Sequence, residues 1–150
     1  MDSETLFPEP KRYLYCDGAS KGNPGPASIG AVIYGKDPES DSNASELLQI
    51  SKSIGRATNN VAEYRSLLEG LKALQKDLGN EFGHTKIHIR MDSQLVIRQI
   101  EGQYRVKNES LKPLYQEALS VLKAARSFKV QHIPRELNKR ADALANEALK

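Results

Sequence analysis

Residues 12–35 read RYLYCDGASKGNPGPASIGAVIYG, and this stretch decides the fold. Its two ends, 12–19 and 28–35, are rich in apolar and aromatic residues, among them Tyr, Ile and Val, and this composition predicts two β-strands. The Gly- and Pro-rich segment between them predicts a tight turn. A second turn over 36–43 and the alternating stretch ELLQISKSI at 46–54 then predict a third strand. We therefore expect an antiparallel meander of three strands.

Helix and strand patterns alternate over the rest of the chain. Thr58, Asn59 or Asn60 is expected to cap a first helix, whose inward face carries Tyr64, Leu67, Leu68, Leu71, Leu74 and Leu78. The pattern then predicts strands at 86–92 and 127–133, helices at 94–102 and 110–126, and a C-terminal helix with the apolar face Ala141, Leu144, Ala145, Ala148 and Leu149. Such alternation implies parallel pairing through right-handed crossovers. The predicted fold is α/β, with a mixed five-stranded sheet flanked by helices.

Length and composition indicate a single domain. A chain of 150 residues with 39% hydrophobic residues can bury a core of its own. Residues 1–10 combine acidic residues and prolines without periodicity, so we expect a disordered leader there and a folded domain at 11–150. No surplus apolar stripe suggests a partner subunit, which favours a monomer.

Cysteine content and hydropathy indicate the expected cellular compartment. Cys16 is the single cysteine, so no disulfide can form within the chain and a reducing compartment, the cytoplasm, is expected. No apolar run approaches the roughly 18 residues needed to span a bilayer, and we expect no membrane association. The net charge of +3 permits a polyanionic partner without requiring one.

Four acidic residues lie at the edges of predicted elements. Asp17 ends the first strand and Asp92 ends the fourth, while Glu63 begins the inward stripe of a helix and Asp142 lies early in the last helix. If the first and fourth strands are neighbours, Asp17 and Asp92 lie side by side. Clustered carboxylates repel one another unless a hard cation joins them, and two Mg²⁺ ions about 3.5 to 4 Å apart would suit phosphodiester chemistry. The alternative is four separate surface or capping acids.

The segments around these residues resemble the four motifs of type 1 ribonuclease H, in order and at the spacing of that family. They are YLYCDGASKGNPGPASIGAVIYG at 13–35, RATNNVAEYRSLLEGLKAL at 56–74, KIHIRMDSQLVIRQI at 86–100 and HIPRELNKRADALANEAL at 132–149. The resemblance implies a ribonuclease H-like fold. It also implies an endonuclease that hydrolyses the RNA strand of RNA–DNA hybrids by two-metal-ion catalysis, leaving 5′-phosphate and 3′-hydroxyl ends.

The same resemblance assigns roles to the acidic residues. It implies that Asp17 bridges two Mg²⁺ ions, for which Mn²⁺ can substitute. Asp142 would bind the ion that activates water, and Glu63 and Asp92 would bind the other. Glu63 would also sense the RNA 2′-hydroxyl, together with the backbone of Gly18, Ala19 and Ser20.

Further residues match substrate-binding positions of the family. Asn23 and Thr58 match positions that hold a phosphate of the DNA strand, and Asn59 and Gln94 match residues that reach the minor groove. Such side chains can contact sugars and base edges without reading sequence. Helix capping is the alternative role for Thr58 and Asn59, and a plain surface position is the alternative for Gln94. The turn after the first strand is expected to need Gly18, Gly22 and Gly25.

Many family members carry a mobile His before the last acidic residue. His132 is one candidate for that role, but it lies within the predicted last strand. Arg135, in the loop before Asp142, is the second candidate, and its alternative is a solvated loop arginine.

Two other readings remain open. One is a different nuclease on the same fold, such as a resolvase or a domain of a retroelement enzyme. The other is a binding module that holds hybrids without cutting them.

Overall fold

The computed structural model describes residues 10–149. Its strands are β1 Lys11–Ser20, β2 Gly25–Tyr34, β3 Glu46–Ala57, β4 Lys86–Met91 and β5 Ser127–His132. Its α-helices are α1 Asn59–Leu78, α2 Gln94–Ile100, α3 Lys112–Ala124 and α4 Lys139–Glu147. Short 3-10 helices at Gly79–His84 and Arg135–Leu137 were not predicted. The predicted leader falls outside the described residues except for Pro10, whose carbonyl oxygen accepts from the Lys86 amide.

The strands form one mixed sheet in the order β3-β2-β1-β4-β5. The first three pair antiparallel, and β4 pairs parallel with both β1 and β5. The predicted mixed five-stranded architecture is therefore confirmed, and the first and fourth strands are neighbours, which is the condition for Asp17 and Asp92 to lie side by side. Within residues 10–149, no helix has both the length and the apolar character needed to cross a bilayer.

One predicted boundary is wrong in a way that matters for the site. Asp17 does not end the first strand, because β2 continues to pair with β1 as far as Ser20. The parallel pairing with β4 ends earlier, at Tyr15 and Arg90. Asp17 therefore lies on a stretch of β1 that has a neighbour on one side and faces the chain leaving β4 on the other.

The sheet separates two apolar clusters. The larger cluster joins one face of the sheet to α1, α2 and α3, and it includes the predicted α1 residues Leu67, Leu71 and Leu74, which are fully buried. Burial of each such side chain contributes roughly 1.5 to 3 kcal/mol. The smaller cluster packs Ala141 and Leu144 of α4 against the opposite face. The sheet is thus held between helices that bring residues to it from both sides.

Glycines allow two of these helices to approach the sheet at backbone distance. A Cβ atom on Gly18 would lie 2.5 Å from the Glu63 amide nitrogen of α1, and one on Gly30 would lie 2.5 Å from the Ala145 amide nitrogen of α4. The predicted turn role is wrong for Gly18, which lies within β1, but it holds for Gly22, whose φ is +98°. Gly18 is needed because α1 touches the strand there.

A buried arginine anchors the loop between β2 and β3. Arg90 of β4 is 5% exposed, and its Nη1 and Nη2 atoms donate to the two carboxylate oxygens of Asp37 at 2.7 and 2.9 Å. Nη1 also donates to the Tyr15 hydroxyl at 2.7 Å, and Nε donates to Gln131 at 3.2 Å. The sequence pattern predicts only a hairpin turn over 36–43, whereas the loop is tied to the sheet through Asp37.

The Asp37–Arg90 pair predicts a pH-dependent contribution to stability. Arg90 lowers the pKa of Asp37 from its usual 3.8 to about 2. Because the folded-state pKa is the lower one, the contribution is complete above about pH 4 and disappears as pH falls through about 2. We expect Asp37→Asn to lower the free energy of unfolding by on the order of 1 to 2 kcal/mol at neutral pH.

Urea unfolding of wild type and Asp37→Asn at neutral pH and near pH 2 measures this difference. The two proteins should converge at the lower pH. Asp41→Asn is the matched control in the same loop, because the Asp41 carboxylate accepts from the Asn43 amide nitrogen. An equal loss in the control would contradict a specific role for the buried arginine.

Candidate active site

The four predicted carboxylates meet in one cleft. Asp92 directly follows β4, Asp17 lies on the neighbouring β1, Glu63 projects from α1 and Asp142 projects from α4. The cleft has a volume of about 340 Å³ and is lined by Asp17, Gly18, Ala19, Ser20, Asn59, Glu63, Asp92, Arg135, Asp142 and Asn146. The alternative of four separate surface acids is therefore wrong.

Three of these carboxylates are close enough to share a cation. One oxygen from each of Asp17, Glu63 and Asp92 lies within 4.8 Å of the other two. Asp142 lies on the same cleft, where its carboxylate accepts from Asn146 Nδ2 at 3.2 Å. Asp17 is 6% exposed, so water screens this group of charges poorly.

Burial and mutual repulsion disfavour the charged forms of these acids. Burial, followed by the charge of Asp92, raises the pKa of Asp17 from 3.8 to about 7. Burial and the charge of Asp17 raise the pKa of Glu63 well above its usual value. Glu63 Oε2 is also buried without a hydrogen-bond partner among the described residues. A hard divalent cation would satisfy this oxygen and remove the repulsion, so the donor set fits such an ion.

Neighbouring amides hold two of the carboxylates. Asn138, which precedes α4, donates from Nδ2 to Asp92 Oδ1 at 3.3 Å and is 1% exposed. Asn146 holds Asp142 from the next turn of α4. Neither residue was predicted from the sequence. Asn138 could have been noticed as a cap-type residue four positions before Asp142, but its inward orientation has no local signature.

The predicted substrate-binding residues divide into two groups. Gly18, Ala19, Ser20 and Asn59 line the cleft. Asn23 adjoins it, because its Oδ1 accepts from the Asn59 amide nitrogen at 3.0 Å.

The other two lie outside the cleft lining. Thr58 caps α1 by accepting from the Val61 amide nitrogen at 3.2 Å, as its alternative role predicts. Gln94 is exposed at the first residue of α2, after Ser93, which caps that helix.

The two candidates for the mobile basic residue differ in position. Arg135 lines the cleft, its side chain is 79% exposed, and its Nη2 lies 3.9 Å from Asp142 Oδ1. His132 is the last residue of β5 and does not line the cleft. The geometry therefore favours Arg135.

An acidic cleft at this edge of a five-stranded mixed sheet, with helices on both faces, defines a domain of the ribonuclease H-like class. A family described as Reverse transcriptase-like matches residues 15–148. The chain is 40% identical over 137 residues to ribonuclease HI of Halobacterium salinarum, which covers 91% of this chain and 63% of that protein. It is also 40% identical over 139 residues to the bifunctional protein Rv2228c of Mycobacterium tuberculosis, which covers 93% of this chain and 35% of that one.

Solved structures agree with these relatives. The N-terminal RNase H domain of Rv2228c superposes with a TM-score of 0.81 at 38% identity, covering 93% of this chain and 99% of that domain. LC11-RNase H1 in complex with an RNA/DNA hybrid superposes with a TM-score of 0.80 at 40% identity, covering 91% of this chain and 95% of that one. This chain belongs to the type 1 ribonuclease H family. It spans 35% to 63% of the length of these two curated relatives.

Proposed function

We propose that this protein is a ribonuclease H, a metal-dependent endonuclease that hydrolyses the RNA strand of RNA–DNA hybrids and leaves 5′-phosphate and 3′-hydroxyl ends. The observation that carries the proposal is the group formed by Asp17, Glu63 and Asp92, whose oxygens lie within 4.8 Å of one another. Repulsion among these three carboxylates destabilises the folded protein, and a bound cation would remove that repulsion. The likeness to LC11-RNase H1, which was solved with a hybrid, supports the choice of substrate.

Two Mg²⁺ ions, replaceable by Mn²⁺, are the cofactors that we propose. Asp17, Glu63 and Asp92 would hold them together with Asp142, with Asp17 shared between the two. Bound ions of this kind make a water molecule more acidic and neutralise charge on the phosphate. The protein supplies the acidic oxygens, the buried surroundings of Asp17 and the side-chain amides that orient Asp92 and Asp142.

Selectivity for RNA is proposed to depend on the wall of the cleft formed by β1 and α1. Glu63 and the backbone of 18–20 line this wall, and the absence of a side chain at Gly18 brings the two elements together. A 2′-hydroxyl can both donate to a carboxylate and accept from a backbone amide, whereas DNA has no such group. The hydrogen bond from the Asn59 amide nitrogen to Asn23 Oδ1 keeps these two residues together beside the cleft, which supports a role for both in holding the DNA strand. Thr58 and Gln94 are proposed to contribute to the same strand.

Cleavage of end-labelled hybrids tests the proposal. RNA–DNA hybrid, double-stranded RNA and double-stranded DNA of one sequence are incubated with Mg²⁺, with Mn²⁺ and with chelator. We expect metal-dependent cutting of the RNA in the hybrid alone. Binding of the hybrid without cutting would instead indicate a binding module, and cutting of both duplex controls would indicate another nuclease on this fold.

Arg135 is proposed to help the product leave, through its position beside Asp142. We expect Arg135→Ala to lower steady-state kcat about tenfold, because release would become slower, while the single-turnover cleavage rate stays within about twofold. Rapid-quench kinetics measures both rates. His132→Ala is the matched control and should change neither; a loss confined to that variant would reassign the role to His132.

We also propose a monomer that acts in the cytoplasm, with its catalytic domain at 11–150. Cys16, a buried thiol, is consistent with a reducing compartment.

A further inference from the structure

Asn138 turns its side chain away from the helix that it precedes. A residue at this position would ordinarily use its side chain to accept an amide of the first helical turn. Asn138 makes no such capping bond. Its Nδ2 donates instead to the Cys16 carbonyl oxygen at 3.0 Å and to Asp92 Oδ1 at 3.3 Å. Both partners can only accept, so the nitrogen of the amide must face them.

These bonds join the elements that carry three of the acidic residues. The Cys16 carbonyl belongs to the peptide that leads into Asp17. Asp92 is bonded directly, and the backbone oxygen of Asn138 accepts from the Asp142 amide nitrogen at 3.1 Å. One residue therefore connects β1, the end of β4 and the first turn of α4.

The arrangement has a cost that a purely structural residue would avoid. Asn138 is 1% exposed, and its Oδ1 is buried without a hydrogen-bond partner among the described residues. An unpaired buried acceptor destabilises the folded state. The inward orientation therefore serves the carboxylates rather than the helix.

We propose that Asn138 is a positioning residue for the acidic cleft. It fixes the direction of the Asp92 carboxylate and the backbone beside Asp17, so that both acids face the cleft in one arrangement. Loss of a group that holds a ligand side chain in this way typically lowers metal affinity or activity by about 10- to 100-fold. This inference rests on the proposed function, because it concerns the same cleft.

Two substitutions test the inference. Asn138→Ala removes both donated bonds, and Asn138→Asp keeps the shape while replacing the donor with an acceptor. We expect each to weaken binding of Mg²⁺ to the free protein, or to lower kcat, by about 10- to 100-fold, with KM for the hybrid within about threefold. Metal binding is followed without substrate, from the NMR shifts of the Gly18 and Ser93 amides during a Mg²⁺ titration.

Gln99→Ala is the matched control for loss of a buried amide. Gln99 is 4% exposed, accepts from the Tyr64 hydroxyl at 2.6 Å and does not line the cleft. This control should lower Tm while leaving Mg²⁺ binding and kcat unchanged.

The outcomes separate the two proposals. Absence of cleavage by wild type would count against the proposed function, while the Mg²⁺ titration would still test Asn138. Wild-type metal binding and kcat in both variants would overturn the inference. Loss of the folded circular dichroism spectrum in both variants would also overturn it, because the residue would then be structural.

Discussion

Asp17→Asn is expected to abolish cleavage and, in the absence of metal, to stabilise the protein. The loss of activity follows from the position of Asp17 beside Asp92 and Glu63, where its charge is needed to hold cations. Contributions of several kcal/mol from such ions correspond to a fall in kcat of roughly 10²- to 10⁴-fold. A hybrid cleavage assay with Mg²⁺ measures this loss, and substantial residual cutting would contradict the assignment.

The expected gain in stability follows from the burial of Asp17 beside other carboxylates. The folded state raises the pKa of Asp17 from 3.8 to about 7, so ionising this acid at neutral pH opposes folding. The penalty is absent below about pH 4 and grows until about pH 7, which is the reverse of the Asp37 case. An uncharged amide avoids it, and we expect Asp17→Asn to gain on the order of 1 to 3 kcal/mol near pH 7.

Thermal unfolding in chelator at pH 4 and pH 7 tests this second effect. A gain of 1 kcal/mol should raise Tm by about 2 to 4 °C, and the gain should be confined to the higher pH. Asp77→Asn is the matched control, since Asp77 is an exposed residue of α1 away from the cleft. An equal rise in the control would show that net charge, rather than the acidic cluster, is responsible.

Local sequence pattern predicted much of this molecule, because its main features follow from local chemistry. The alternation in 46–54 and the helical stripe from Tyr64 to Leu74 each specify an element by periodicity alone. The position of Asp92 could be predicted, because a polar residue that directly follows an apolar strand lies at the edge of the sheet where that strand ends. The resemblance to a known family then added the roles of the acids, which spacing could not supply.

The features that were missed depend on contacts between distant residues. Asp37 and Arg90 are separated by 53 positions. Nothing in the sequence of the turn 36–43 indicates that the Asp37 carboxylate binds a buried guanidinium. The inward amide of Asn138 depends on Cys16, 122 positions away. Gly18 looked like a turn residue because glycine is common in turns, and only the packing of α1 reveals its other purpose.

That packing makes Gly18→Ala the second substitution with a large expected effect. The added Cβ would overlap the backbone at Ala62 and lie 2.5 Å from the Glu63 amide nitrogen. Backbone atoms cannot rotate away as side chains can, so α1 must move away from β1. We expect the free energy of unfolding to fall by about 1 to 3 kcal/mol, as in other overpacked interfaces.

The cleavage rate should fall by more than partial unfolding alone would explain, because the displaced segment carries Glu63. A shift of about 1 Å in a catalytic group can cost about 10²-fold in rate, and here it would separate Glu63 from Asp17 and Asp92. Cleavage at a temperature where the variant is fully folded by circular dichroism isolates this effect from unfolding.

Gly70→Ala is the matched control on the same helix and strand. Its Cβ would meet the end of the Leu14 side chain, 2.8 Å from Cδ1, which can rotate away, and Ala favours a helix interior over Gly. Wild-type cleavage by Gly70→Ala beside a large loss in Gly18→Ala would show that rate depends on how closely α1 approaches β1 beside the acids. Equal activity in both variants would contradict that dependence, because the cleft would then tolerate movement of Glu63 relative to the sheet.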